Sequence, residues 1–232
     1  MACLLTIETS TKICSLALSL NGAVVFKRIN KEGSSHASQL GAFANEAIIY
    51  ARENNLKVDA VAVSSGPGSY TGLRIGVSEA KGLCYGLGIP LIAISSLKVL
   101  ANAFLMNNTS DFTFHDRLCP MIDARRMEVY TALYDETLNE IQPVQAKIID
   151  EDSYRESLEK SRILFFGDGA DKCRNVIKTK NAIFVDDICP DAEAMIALAE
   201  KAYRKKEFVD VAYFEPFYLK EFQATVAKNK VL

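Results

Sequence analysis

Residues 61–90 read VAVSSGPGSYTGLRIGVSEAKGLCYGLGIP: a short apolar run, a Gly-Pro-Gly turn, then a helical pattern with glycine along one flank. The turn is either a phosphate cradle or the start of a helix that docks on something. A dinucleotide fingerprint needs G-x-G-x-x-G and an acid about 20 residues further on to hold a ribose. Here Gly66, Gly68 and Gly72 are spaced G-x-G-x-x-x-G, without that acid. A P-loop closes on Gly-Lys-Ser/Thr so that the lysine reaches phosphate, whereas Gly72 is followed by Leu73 and Arg74. What remains is a strand-to-helix turn in which glycine permits tight backbone and Ser69 or Thr71 caps the helix.

Working outward, three strands are expected near 2–8, 13–21 and 23–30, the last two joined by Asn21-Gly22, a strong hairpin signal. A helix near 35–54, a strand 58–65, the helix 71–87, a strand 90–94 and a helix 96–107 follow. The second half repeats the order, with strands near 117–123, 127–135 and 142–149, a helix 151–160, a strand 162–166, a helix 169–179, a strand 181–185 and a helix 191–206. Laying Ile7-Glu8 on Ile122-Asp123 also lays Ala17-Leu18 on Ala132-Leu133 without a gap, at an offset of 115. A chain doubled as βββαβαβα predicts two RNase H-like α/β lobes around a cleft, an N-terminal lobe over 1–108 and a C-terminal lobe over 109–232 whose tail can pack back on the first.

The 232 residues carry 27 Lys+Arg against 29 Asp+Glu, so no global charge draws the chain to nucleic acid or an anionic membrane. The opening MACLLTIETS lacks a basic leader pattern, and no apolar run approaches the roughly 18 residues of a membrane span, so a cytoplasmic protein without membrane contact is expected. Six scattered cysteines without a C-x-x-C pair read as buried reduced thiols. The two histidines, His36 and His115, form no H-E-x-x-H or H-x-x-x-H pair, and serine catalysis lacks a recognisable base, so no metal site and no catalytic residue is assigned.

Equivalent strand ends would present Glu8 and Asp123 to the cleft, where paired acids suit magnesium binding or water activation. Each also serves simply to start a hairpin turn. The loops IETST and IDARR lack the glycine that lets backbone N–H groups approach a phosphate, and LFFGDGADK at 164–172 supplies only Gly167 and Gly169. Glu8, Thr9, Ser10, Asp123, Gly167 and Gly169 are therefore expected to line at most a vestigial nucleotide cleft, with no resident cofactor.

The doubled pattern resembles the actin, Hsp70 and sugar-kinase superfamily of ATPase folds. More narrowly, IETST at 7–11, SGPGSYTGLRIG at 65–76, GIPLIAISSL at 88–97, IDARRMEVY at 122–130 and EPFYLKE at 215–221 resemble the bacterial TsaB family of tRNA threonylcarbamoyladenosine biosynthesis proteins, nearly end to end. That resemblance implies a part in forming N6-threonylcarbamoyladenosine at position 37 of tRNAs that read codons beginning with adenosine. It also implies a non-catalytic role beside a larger catalytic paralogue, TsaD, and an ATPase, TsaE. The rival expectation is an ATPase, small-molecule kinase or glycoprotease-like hydrolase using Glu8 and Asp123; a third is a self-contained homodimer.

Two helices carry more apolar surface than one sheet can cover. Leu40, Ala44, Ala47, Ile48 and Ala51 make one stripe of the helix 38–53, leaving Phe43, Ile49 and Tyr50 elsewhere. In the helix 71–87, Leu73, Val77, Ala80, Cys84 and Leu87 form the sheet-facing stripe, and Ile75, Gly76, Glu79, Gly82, Leu83 and Gly86 fall outside it. Interior glycines cost about 1 kcal/mol each relative to alanine, and close approach of a second helix would offset that. These flanks are the expected docking face, for a homodimer of the isolated chain and then for the paralogue. Because affinity for tRNA tracks phosphate contacts, the chain alone is predicted to bind tRNA weakly at physiological salt; submicromolar affinity without partners, measured by filter binding, contradicts this.

Overall fold

The computed structural model describes residues 2–33, 36–107, 113 and 115–220. Ten strands and five helices run in order β1 (Cys3–Glu8), β2 (Cys14–Leu20), β3 (Ala23–Asn30), α1 (His36–Glu53), β4 (Ala60–Ser64), α2 (Tyr70–Leu87), β5 (Leu91–Ile94), α3 (Ser96–Asn107), β6 (Arg117–Asp123), β7 (Glu128–Tyr134), β8 (Glu140–Ile148), α4 (Arg155–Lys160), β9 (Ile163–Phe166), β10 (Ala182–Val185) and α5 (Ala192–Lys205). The first sheet has order β3-β2-β1-β4-β5 and the second β8-β7-β6-β9-β10. The orders are the same in the two halves, so the chain has the duplicated RNase H-like architecture of the actin-like ATPase fold. The boundary between the expected lobes, at 108/109, lies outside the described residues.

Local chemistry explains the first lobe. Asn21 and Gly22 both take positive φ, 52° and 83°, as the tight β2–β3 turn requires. β1, β2 and β4 are almost wholly buried, and α1 seats Leu40, Ala44, Ala47 and Ala51 on that sheet while α2 seats Leu73, Val77, Ala80 and Cys84. Leu87, expected in the α2 stripe, is 42% exposed at the helix end, where Gly88 caps the helix with φ 65°. The second lobe is leaner: α4 has six residues, and the helix expected over 169–179 is a single 3₁₀ turn, Asp171–Cys173. The stretch that follows, RNVIKTK, is rich in residues of low helix propensity and must reach β10 within a few residues.

α3 and α5 join the lobes. One core cluster contains Leu4, Ala62 and Ile92 of the first sheet, Leu100 and Phe104 of α3, Leu118 and Phe166 of the second sheet, and Met195 and Ala199 of α5. The α5 N-terminus is tied to the first sheet: Thr6 Oγ1 donates to Ala192 O at 2.7 Å, Ala192 N donates to Ser15 Oγ at 2.9 Å, and Lys27 Nζ lies 2.6 Å from Asp191 and 2.7 Å from Glu193. Five cysteines are buried as expected of reduced thiols, whereas Cys189 is exposed.

The glycines of α2 serve the chain itself at one end and not at the other. A Cβ at Gly68 would collide with Ser10 O, at Gly72 with Thr9 O, and at Gly76 with Thr9 Oγ1, whereas Gly82 and Gly86 have open space. Gly72→Ala therefore overpacks backbone, at about 1–3 kcal/mol, while Gly82→Ala relieves the helix-propensity cost and gains about 0.5–1 kcal/mol. With about 2–4 °C per kcal/mol for a chain of this size, thermal melts are expected to show a lower Tm for Gly72→Ala and a higher Tm for Gly82→Ala. Shifts of the same sign would contradict this packing.

Candidate functional site

Two surfaces gather the residues singled out above: the interlobe cleft and the outer face of α1 and α2. The cleft is a cavity of about 370 Å³ between the Ser10–Lys12 loop, the Pro67–Thr71 turn, the Ile122–Arg125 loop, Tyr130, Asp168 and the segment Phe217–Lys220. Of the six residues expected there, Ser10 and Asp123 line it.

Glu8 does not. It ends β1 opposite Ser15, and cross-strand partners share a face. That face lies beneath the α5 N-terminus, where Ser15 accepts from Ala192 N. The Glu8 side chain is fully buried; Oε1 accepts from Ser10 N at 2.7 Å, and Oε2 has no hydrogen-bond partner among the described residues. Burial pushes its carboxyl up to about 7, opposed by Ser10 and Ser64 and reinforced by Asp191. Thr9 is buried against Gly76 and Ser10 against Gly68, and their hydroxyls also lack partners among the described residues.

Asp123 is exposed, accepts from Arg125 N at 3.0 Å and pairs with Lys172. The acids expected to face each other across the cleft are thus separated: one is sealed under α5, the other neutralised at the surface. Gly167 and Gly169 do not line the cleft either. A Cβ at Gly167 would strike Met121 O and one at Gly169 would lie 2.9 Å from Ile122 C, so both serve the packing of this turn on β6. The Arg125-Arg126 pair, both at positive φ (69° and 51°), builds the β6–β7 turn.

His36 has structural work as well. His36 Nε2 lies 3.0 Å from Thr11 O and 3.2 Å from Ile13 O, holding the start of α1 to the β1–β2 loop. Among the described residues, no three His, Cys, Asp or Glu side chains gather in a way that could hold a metal ion. No helix of the described residues is long and apolar enough to cross a membrane.

The outer face of α1 and α2 is where the remaining residues lie, with corrections. Ile49 is 44% exposed at the crest of α1, opposite its buried stripe. On α2, Gly82 and Gly86 are exposed with nothing nearby, flanked by half-buried Ile75, Glu79 and Leu83. Gly41 of α1, which the sequence reading passed over, is equally open. Three expected members point elsewhere. Gly76 is buried against Thr9, and Tyr50 packs on Phe26 of β3 with ring centroids 5.5 Å apart. Phe43, two turns before Tyr50, packs half-buried on the lobe's own core, and Ile75 and Leu83 also pack on that core while keeping part of their surface exposed. Periodicity reports the angle of a side chain around the helix, not which neighbour fills that angle.

The pH prediction for Glu8 follows from its burial. Its folded value, about 7, lies above the ordinary 4.5, so the folded chain holds a proton that the unfolded chain releases first. The contribution is fully present below pH 4.5 and is lost as pH rises to about 7. Glu8→Gln, which keeps the uncharged shape, is expected to flatten denaturation midpoints measured across that window; an unchanged slope would show that Glu8 does not titrate there.

Comparison with known proteins places this geometry in a family. Residues 30–228 match the family described as TsaD, tRNA N6-adenosine threonylcarbamoyltransferase. The chain is 28% identical to the tRNA threonylcarbamoyladenosine biosynthesis protein TsaB of Haemophilus influenzae, over 94% of this chain and 93% of that protein. It is also 28% identical to the Escherichia coli K12 protein of the same name, over 94% of each. The structure superposes on YeaZ from Pseudomonas aeruginosa with TM-score 0.77 and 26% identity, over 94% of this chain and 100% of that one. A second crystal structure, of an uncharacterised protein with similarity to peptidase YeaZ from Pseudomonas aeruginosa, gives TM-score 0.81 at 25% identity over 95% of this chain and 100% of that one. With 30–228 matched and this end-to-end likeness, the chain belongs to the TsaD family, among its TsaB-like members.

Proposed function

We propose that this chain acts in tRNA threonylcarbamoyladenosine biosynthesis as a non-catalytic subunit, binding a TsaD-like catalytic paralogue and working with a TsaE-like ATPase in the cytoplasm. The observation that carries this reading is the outer face of α1 and α2. Gly41, Gly82 and Gly86 stand open on it, beside an exposed Ile49 and half-buried Ile75 and Leu83. Glycines in exposed helix positions cost stability within the chain, and their lack of side chains lets another helix approach to backbone distance. A paralogue descended from the same duplicated fold presents equivalent helices, so a pseudo-symmetric bundle forms, and the isolated chain pairs with itself through the same face. Homodimer and heterodimer then compete.

The rival reading, an ATPase, kinase or glycoprotease-like hydrolase, requires Glu8 and Asp123 to act together in the cleft. Glu8 is fully buried outside it and Asp123 is paired with Lys172, which favours the subunit reading. Contact with tRNA is assigned to the assembly, since this chain carries a net charge of −2.

Gly82→Leu adds bulk at an open position, and Ile75→Glu places a charge at a half-buried position of the same face. Overpacking an interface costs about 1–3 kcal/mol, and a buried unpaired charge costs at least as much. Both variants are expected to remain folded, to sediment as monomers and to lose pull-down of the paralogue. Variants that still bind it would move the docking face elsewhere.

A further inference from the structure

After α5 the chain runs back across the molecule. Val209 N donates to Leu91 O at 2.9 Å, adding a bridge to the free edge of β5. Lys81 of α2 then grips the segment, its Nζ 2.9 Å from Ala212 O and 3.1 Å from Phe214 O. Phe217 N donates to Ser65 O at 2.7 Å, and Phe217 O sits where a Cβ at Gly66 would lie only 2.7 Å away, so the strap lies directly on the Gly-Pro-Gly turn. Tyr218 packs on Tyr70 with ring centroids 4.9 Å apart. Lys220 then crosses to the other lobe and pairs with Glu128 of β7.

These contacts put two unlike anchors on opposite sides of one cleft. The ring contact and the Phe217 hydrogen bond belong to the N-terminal lobe; the ion pair belongs to the C-terminal lobe. Between them, Phe217, Tyr218, Leu219 and Lys220 form one wall of the cavity. At the back, α3 and α5 join the lobes through a shared apolar core. At the cleft mouth the strap makes the crossing. A segment serving only to cover apolar surface would need neither the charge pair nor the close backbone contact at Gly66.

We propose that residues 215–220 are a latch: the chain's own strap occupies the mouth of the interlobe cleft and holds the two lobes in one relative position. Lobe closure is here built into the polypeptide. Releasing this latch opens the cleft.

Hydrogen exchange on the full chain tests this, read at loops 9–12 and 122–130 on the two sides of the cleft, with α1 and β2 as internal controls. Losing a ring contact and a partly exposed ion pair together is expected to speed exchange at both loops about tenfold in Tyr218→Ala/Lys220→Ala, leaving the controls unchanged. Lys220→Glu, which touches only the surface pair, is expected to give part of the effect, and Lys220→Glu with Glu128→Lys to restore protection. High salt, which weakens the pair by screening, should give a smaller change of the same sign in the natural sequence. Exchange that quickens only within the strap, with both loops as protected as before, or a charge swap that rescues nothing, would overturn the latch.

Discussion

The contact on which the rest depends is backbone against backbone, where the turn at Gly68 and the first turn of α2 lie on the Thr9-Ser10 loop. No residue with a side chain fits at Gly68, Gly72 or Gly76, because Ser10 O, Thr9 O and Thr9 Oγ1 occupy the places their Cβ atoms would take. Ser69 N donates to Ser10 O at 2.7 Å, and Ser69 Oγ caps the helix by accepting from Gly72 N at 3.3 Å. Glycine gives up more conformational freedom on folding than any other residue, about 0.5–1 kcal/mol in an element interior. What that cost secures is a loop clamped so tightly that its own side chains are buried. Thr9 and Ser10 are thereby turned into core, and the opposite face of α2 is turned to solvent.

That arrangement makes the two halves unequal while their sheets stay alike. The first half keeps two long crossover helices, α1 and α2, of 18 residues each. The second keeps a six-residue helix and a 3₁₀ turn in the same places, with Gly167 and Gly169 repeating the glycine-on-loop device against β6. Among the described residues, a broad face of crossover helices therefore exists on the first lobe only. The strap runs beside that face and reaches the cleft, so the proposed docking surface, the clamp and the cleft share one helix.

Strand order and helix stripes were legible because they rest on local signals. Alternation and apolar runs marked the strands to within about two residues, Asn21-Gly22 demanded its turn, and Ser69 was one of two caps named in advance. Function at the strand ends was not legible. The offset of 115 makes Glu8 and Asp123 equivalent in sequence, yet α5 from the far end of the chain covers one while Lys172 neutralises the other. The α2 glycines divide in the same way. Gly76 and Gly82 both sit off the Leu73–Val77–Ala80–Cys84 stripe, and only the position of Thr9, some 67 residues earlier in the chain, distinguishes a clamp residue from an open position. The signal that could have found it is the four-residue spacing of Gly68, Gly72 and Gly76, one helical edge of glycine, read against Gly82 and Gly86, which lie on another.

The central claim is that the side of α2 turned away from the clamp is the working surface of this protein. Hydroxyl-radical footprinting of the chain, diluted until it is monomeric by sedimentation and then in complex with the TsaD-like paralogue, tests it at the level of single side chains. The account predicts that Ile49, Ile75 and Leu83 lose reactivity in the complex while Tyr130 and Asp123-side residues of the cleft keep theirs. Shielding confined to the cleft, with Ile49, Ile75 and Leu83 as reactive as in the free chain, would contradict it.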